Sequence, residues 1–312
     1  MKYLALSGGV GGAKLAYGLA QILKPDELLI IANTGDDFTH LGLHVAPDLD
    51  SVMYALGELN NTETGWGRMG ETWQFIKAME QLGGETWFKL GDLDLATHIV
   101  RTQHLSKGLS LSETTTHLCQ HLGIEIPLQP MTDDPVSTVI HTVSQGALAF
   151  QHYFVREQCE PAVTGFQFDG IELAKPLPAM MDALNDPALE GIIICPSNPF
   201  VSVDPILRLP GVKAALQNTN APVIAVSPIV GGQALKGPAA KMMEELKLDV
   251  TPVTVAKHYQ DILDGFVLDT QDEALQGEIV AICPNILVTD TIMVNAEVKI
   301  RLAQEILAHF ST

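Results

Sequence analysis

Positive charge is scarce. The 312 residues carry 18 Lys and Arg against 37 Asp and Glu, a formal net charge of -19. A chain this acidic has no electrostatic footprint for duplex DNA or RNA, and anionic membrane surfaces repel it. A small anionic ligand is not excluded, because backbone donors and metals override net charge locally. Long apolar runs are missing too: no window approaches the roughly 18 uninterrupted apolar residues of a membrane span. The opening Met1–Ser7 is apolar, but Gly-rich sequence follows at once without a cleavage pattern. It reads as a first buried strand rather than a leader. Cysteine is rare and scattered. Cys119, Cys159, Cys195 and Cys283 form no CxxC pair, which argues against structural zinc and for free thiols in a reduced, cytoplasmic setting. No GxSxG, HExxH or kinase-type signature is present.

What the chain does have is a regular alternation of short apolar runs and amphipathic stretches. Strands are expected at Tyr3–Leu6, Leu28–Ala32, Thr86–Leu90, Gly191–Cys195, Pro222–Val226, Gly265–Leu268 and Glu278–Ile282. Bare apolar runs of this kind suit parallel strands covered on both faces. Helices are expected at Ala13–Leu23, Glu71–Leu82, Asp94–Leu105, Ser112–Leu122 and Thr291–Phe310. The pattern predicts an α/β, Rossmann-like, mostly parallel sheet with helices on both faces. The stretch 127–170 differs. Ser137–Thr142, Ala147–Phe154 and Ala162–Phe168 read as β-rich with little helix between, an insertion or sheet extension within a single domain over 1–312.

The chemistry-bearing residues gather where strands end, which is where such folds bind ligands. Ser7-Gly8-Gly9-Val10-Gly11-Gly12-Ala13-Lys14 follows a strand and opens a helix. Its glycines allow close backbone approach to a phosphate, and the helix start offers N–H donors. It is neither a P-loop nor a clean GxGxxG, since Lys14 takes the third glycine's place. Asn33-Thr34-Gly35-Asp36-Asp37 and Pro47-Asp48-Leu49-Asp50 put four carboxylates within fifteen residues. Turns and helix caps explain any one of them. Crowding all four is costly unless a divalent metal or a cationic substrate compensates. Lys89 and His98 flank a further strand-to-helix junction, Lys89 suited to a phosphate and His98 either facing the site or merely structural. Ser197 and Asn198, stiffened between two prolines, can hydrogen-bond a nucleotide, and Ser227–Gly232 offers more glycines.

Taken in order, SGGVGGAK, NTGDDF, PDLDSVMYALG, GWGRMGETW, KLGDLDLATHIVRT, MTDDPVST, PSNP and SPIVGG resemble the 2-phospho-L-lactate transferase family of deazaflavin coenzyme F-420 biosynthesis across nearly the whole chain. The resemblance implies a magnesium-dependent transferase. It would move 2-phospholactate, phosphoenolpyruvate or phosphoglycerate from a guanosine diphosphate adduct to the deazaflavin Fo, releasing GMP. By the same resemblance, Gly8, Gly9, Gly11, Gly12, Lys14, Ser197 and Asn198 hold the nucleotide. Asp36 and Asp50 hold Mg2+ and are catalytic, Asp50 also being a candidate base. Asp48, Asp50, Lys89 and His98 bind Fo, and the protein is a homodimer. A non-catalytic nucleotide-sugar-binding regulator of the same superfamily is the alternative. A dinucleotide-dependent oxidoreductase is disfavoured by Lys14 and by Asn33 at the end of the second strand.

Overall fold

The computed structural model describes residues 1–234 and 237–310. Seven strands form its main sheet: β1 (Tyr3–Ser7), β2 (Leu28–Ala32), β3 (Leu128–Pro130), β4 (Gly191–Ile194), β5 (Val223–Val226), β6 (Gly265–Asp269) and β7 (Ile286–Thr289). Their spatial order is β7-β6-β5-β4-β1-β2-β3, with every pairing parallel. The five expected runs in β1, β2, β4, β5 and β6 are buried along their whole length. Alternate side chains feed opposite faces, as the strand period of two requires. Leu4 and Leu6 enter one core together with Met180, Leu216 and Met242, while Tyr3 and Ala5 enter the other with Leu15, Val52 and Leu302. Helices therefore cover both faces.

Two expected strands are not strands. Thr86–Leu90 is irregular backbone, and its Trp87 and Phe88 pack against Phe38 and His40 instead of a sheet neighbour. Glu278–Ile282 falls on a short helix, Gln276–Val280, and the sheet takes Ile286–Thr289 as its strand. Both are short apolar runs, where periodicity cannot separate strand from helix or loop. The sequence reading also missed β3. Its Pro127 and Pro130 confine it to three residues at the sheet edge, which suits an element that lacks ladder donors. Residues 128–130 thus belong to the main sheet rather than to the inserted stretch. That stretch forms a separate antiparallel sheet from Gly146–Ala149, Ser137–Thr142 and Val163–Asp169. The run Ala147–Phe154 is strand only to Ala149, and a wide helical turn, His152–Arg156, follows. Ile140, Phe150, Tyr153 and Phe168 carry this small sheet into the same core as the main one.

Five helices position the site: α1 (Gly9–Ala20), α2 (Pro47–Leu56), α3 (Gln74–Gln81), α4 (Asp92–Ser106) and α5 (Leu111–His121). The start of α4 caps α3, and the segment just before α3 caps α4. Asp92 accepts the Phe75 N–H at 3.1 Å in the first turn of α3, and Glu71 accepts the Leu93 and Asp94 N–H groups at 2.7 and 2.8 Å in the first turn of α4. Each carboxylate satisfies donors that a helix start leaves open. No described helix is long and apolar enough to cross a membrane.

α1 also packs against the C-terminal helix, Ala296–Phe310, with backbone nearly touching backbone. A Cβ at Gly18 would overlap the Lys299 carbonyl. Alanine normally improves a helix interior by up to about 1 kcal/mol. Here the overlap outweighs it. Gly18→Ala is expected to destabilise the fold by about 1–3 kcal/mol in urea unfolding; an unchanged or raised midpoint would mean that the two helices part freely.

Candidate functional site

Strand order reverses between β1 and β4, and a cavity of about 570 Å³ opens beyond the carboxyl ends of these two strands. Crevices at such a reversal are where α/β sheets bind ligands. Gly8, Gly9, Gly11 and Lys14 line it from the β1 side, and Ser197 and Asn198 from the β4 side.

The glycines are needed by the protein itself. A Cβ at Gly11 would strike the Pro196 carbonyl, and one at Gly12 would lie 2.5 Å from both Ser197 Oγ and Ser7 Oγ. One at Gly8 would lie 2.5 Å from Ser202 Cβ, and Gly9 sits at φ +61°. The two loops therefore interlock, and Gly8 N–H donates to Ser197 Oγ at 3.1 Å. Asn198 accepts the Phe200 N–H at 3.0 Å and so braces its own loop. Lys14 Nζ donates to the Met293 carbonyl at 3.0 Å, which holds its charge at the cavity edge.

The four clustered aspartates separate into two pairs. Positions two apart on an α-helix point about 200° from one another, so Asp48 and Asp50 leave α2 on opposite sides. Asp48 turns to the cavity, where Asp36 meets it. A single buried amide holds the two together: Asn33 Nδ2 donates to Asp48 Oδ2 at 2.9 Å and to Asp36 Oδ1 at 3.3 Å. Gln151, from the end of the small sheet, donates to the other Asp36 oxygen at 2.8 Å. Burial, then the neighbouring Asp48 and Asp37 charges, push the Asp36 pKa well up. Burial pushes Asp48 up to about 6, against the opposing effect of Asn33.

Asp37 and Asp50 face the other way. Both Asp50 oxygens accept from Arg101, one from Nη1 at 3.1 Å and the other from Nη2. Arg101 is fully buried. Its Nη1 also meets His98 Nδ1 at 3.2 Å, His98 approaches Asp94 at 3.4 Å, and Tyr54 donates to Asp94 at 2.6 Å. Asp37 pairs with His44 at 2.9 Å, and burial raises it to about 6 despite that partner. Ligand atoms of Asp50, Asp94 and His98 all lie within 4.8 Å of one another, a spacing that could hold a metal ion. The Arg101 guanidinium already supplies positive charge there. Asp50 and His98 line no part of the cavity, so the expected Asp36–Asp50 pairing is not the one this geometry brings together.

An aromatic lining is not legible in the sequence. Trp66, Trp87, Phe88, Phe150 and Phe154 also line the cavity, as does Lys89. Trp87 meets Phe88 edge-on at 5.7 Å and His152 edge-on at 4.8 Å. The cavity thus combines aromatic side chains with glycine-rich backbone, and its two buried carboxylates offer oxygen ligands only, a set that fits a hard divalent cation such as magnesium.

A family model described as 2-phospho-L-lactate transferase CofD matches residues 4–294. A phosphoenolpyruvate transferase of Kitasatospora aureofaciens is 40% identical over 314 residues, covering 99% of this chain and 97% of its own. A 2-phospho-L-lactate transferase of Methanosarcina acetivorans is 37% identical over 309 residues, covering 99% of each. The crystal structure of a UPF0052-family protein from Bacillus halodurans shares the fold, with a TM-score of 0.59 at 13% identity over 98% of both chains.

Two measurements follow from the paired carboxylates. Folding raises Asp36, Asp37 and Asp48 above the ordinary carboxylate range, so between that range and about pH 6 the folded chain binds more protons than the unfolded one. Stability of the metal-free protein should therefore rise as pH falls from about 7.5 to 5, and Asp48→Asn should flatten the slope. A wild-type slope of opposite sign would show these groups to be well solvated. Arg101→Met leaves Asp50 buried and unpaired. It should cost about 3–5 kcal/mol in urea unfolding, much of it recovered by adding Asp50→Asn; equal losses in the single and double variants would rule out that pairing.

Proposed function

Because the chain belongs to the 2-phospho-L-lactate transferase CofD family and is a transferase of phospho-acid groups, we propose that it joins such a group to the deazaflavin Fo in coenzyme F-420 biosynthesis. The donor is the guanosine diphosphate adduct of lactate, enolpyruvate or glycerate. The observation that carries this reading is a single cavity lined both by aromatic side chains, suited to a flat tricycle, and by a glycine loop, suited to a diphosphate.

In this reading the diphosphate lies over Gly8–Gly12, where the start of α1 presents N–H groups and a positive dipole end. Lys14 and Ser197 border that position. The deazaflavin ring lies against Trp87 and Phe88, with Lys89 at its rim. Its terminal hydroxyl then points to the phosphorus that bears the acid. The hydroxyl oxygen forms a bond to that phosphorus and loses its proton to solvent or a nearby carboxylate. The phosphoanhydride bond breaks, and GMP leaves with its electron pair. Such transfers depend mainly on positioning and on neutralising spread charge. Asp36 and Asp48 would hold magnesium, which supplies that neutralisation. Asn33 and Gln151 keep both carboxylates turned inward before ligand arrives. Asp50, with His98, serves from behind by fixing Arg101 and α4.

The test is turnover. Protein, Mg2+, Fo and each guanosine diphospho-acid in turn are incubated, and GMP and the Fo adduct are followed by mass spectrometry. One donor should give adduct, and Asp36→Asn should slow it by about a hundredfold or more. Mn2+ binding followed by electron paramagnetic resonance should weaken in both Asp36→Asn and Asp48→Asn. Tight GDP binding with no adduct from any donor would overturn the reading in favour of a nucleotide-binding regulator. Unchanged Mn2+ affinity in Asp48→Asn would remove that residue from the metal pair.

A further inference from the structure

Outside the cavity, three histidines meet on the face where α4 packs against α5. His117 and His121 lie one turn apart on α5, so they share a helix face. Their ring centroids are 4.1 Å apart. His104, near the end of α4, places its ring 4.4 Å from that of His117. None of the three pairs with a carboxylate among the described residues; the histidine ion pairs there belong to His44, His98 and His258. Glu113, one turn before His117, is engaged by the Ser110 N–H at 2.8 Å.

We propose that His104, His117 and His121 form a binding site for a divalent transition-metal ion of the nickel, zinc or copper type. His121 Nδ1 lies 2.9 Å from the His117 carbonyl. An N–H donated there leaves Nε2 as the lone-pair nitrogen, the arrangement by which metal-binding imidazoles are usually oriented. His104 Nδ1 is shut off from solvent and has no hydrogen-bond partner. The rings are tilted against one another. Among the described residues only Asp50, Asp94 and His98 already place three ligand atoms within 4.8 Å of one another, so seating an ion on the three histidines requires their rings to turn about the broad terminal torsions. Three imidazoles select borderline ions and reject magnesium, so this site is chemically separate from the all-oxygen Asp36–Asp48 pair. A bound ion would tie the end of α4 to α5. α4 also carries Asp94, His98 and Arg101, so the ion would brace the helix that anchors the buried network behind the cavity.

The experiment is a calorimetric titration of the full chain with Ni2+ in excess Mg2+, which occupies oxygen-donor sites. One Ni2+ should bind per chain and raise the thermal midpoint, as any ligand of the folded state does. His117→Asn and His121→Asn should each weaken binding by about tenfold or more, with the Mg2+-dependent activity unchanged. His104→Asn should weaken it as well. The proposal is overturned if the wild type takes up no Ni2+, if the α5 variants bind as wild type does, or if His104→Asn leaves the affinity unchanged. Circular dichroism of each variant checks that the fold is retained.

Discussion

The arrangement of the site depends on keeping like charges apart. Four aspartates enter the same small volume, and no fold could hold them all on one side without cations for each. Helical geometry separates Asp48 from Asp50, and the two pairs then meet different partners. Away from the cavity, Arg101 supplies positive charge to Asp50 and His44 hydrogen-bonds to Asp37, so both are matched within the protein. In front, the donors to Asp36 and Asp48 are neutral: the Asn33 and Gln151 amides, with the Gly9 N–H and the Ser202 hydroxyl also reaching Asp48. The protein orients that pair without neutralising it. In the proposed reading a bound cation would neutralise that charge, whereas the partnered Asp50 and Asp37 hold the framework behind the cavity.

The same economy of space governs the loops. β1 and β4 are neighbours, and the segments that leave them pack so closely that side chains at Gly8, Gly11 or Gly12 would collide with the residues after β4. The glycine-rich run therefore serves two ends. It lets the two loops interlock, and it leaves the backbone bare where an anion can approach. The aromatic wall comes from elsewhere in the chain, from residues 66, 87, 88, 150 and 154. The small antiparallel sheet contributes to both the wall and the carboxylates, since Phe150, Gln151 and Phe154 follow one of its strands.

Much of this was legible beforehand. The five bare apolar runs identify the centre of a parallel sheet, and the loops that follow them carry the polar lining of the cavity. The failures have physical causes. Trp87 and Phe88 look like strand residues because a sheet and a cavity wall draw on the same apolar side chains. The run Glu278–Ile282 was too short to show a period. The resemblance pairs Asp36 with Asp50, whereas the hundred-degree step of α2 turns Asp48, not Asp50, toward Asp36 in the cavity. Arg101 gave one signal that could have been used, a lone basic residue three positions after His98 on an otherwise half-apolar helix, facing the same way. Asn33 and Gln151 gave none, because an amide's role as a clamp depends on what the fold places around it.

The Gly8–Ser197 hydrogen bond joins residues 189 positions apart. During synthesis β1 finds β2 early, yet its other edge waits for β4. At ordinary elongation rates that interval lasts roughly ten to forty seconds. For that time a largely apolar strand stands with an open edge in the nascent protein, the kind of surface that chaperones shield and that fragments aggregate through. The interlocked loops at the glycine end of the cavity therefore cannot form until residue 197 has been made, long after the Gly8 segment.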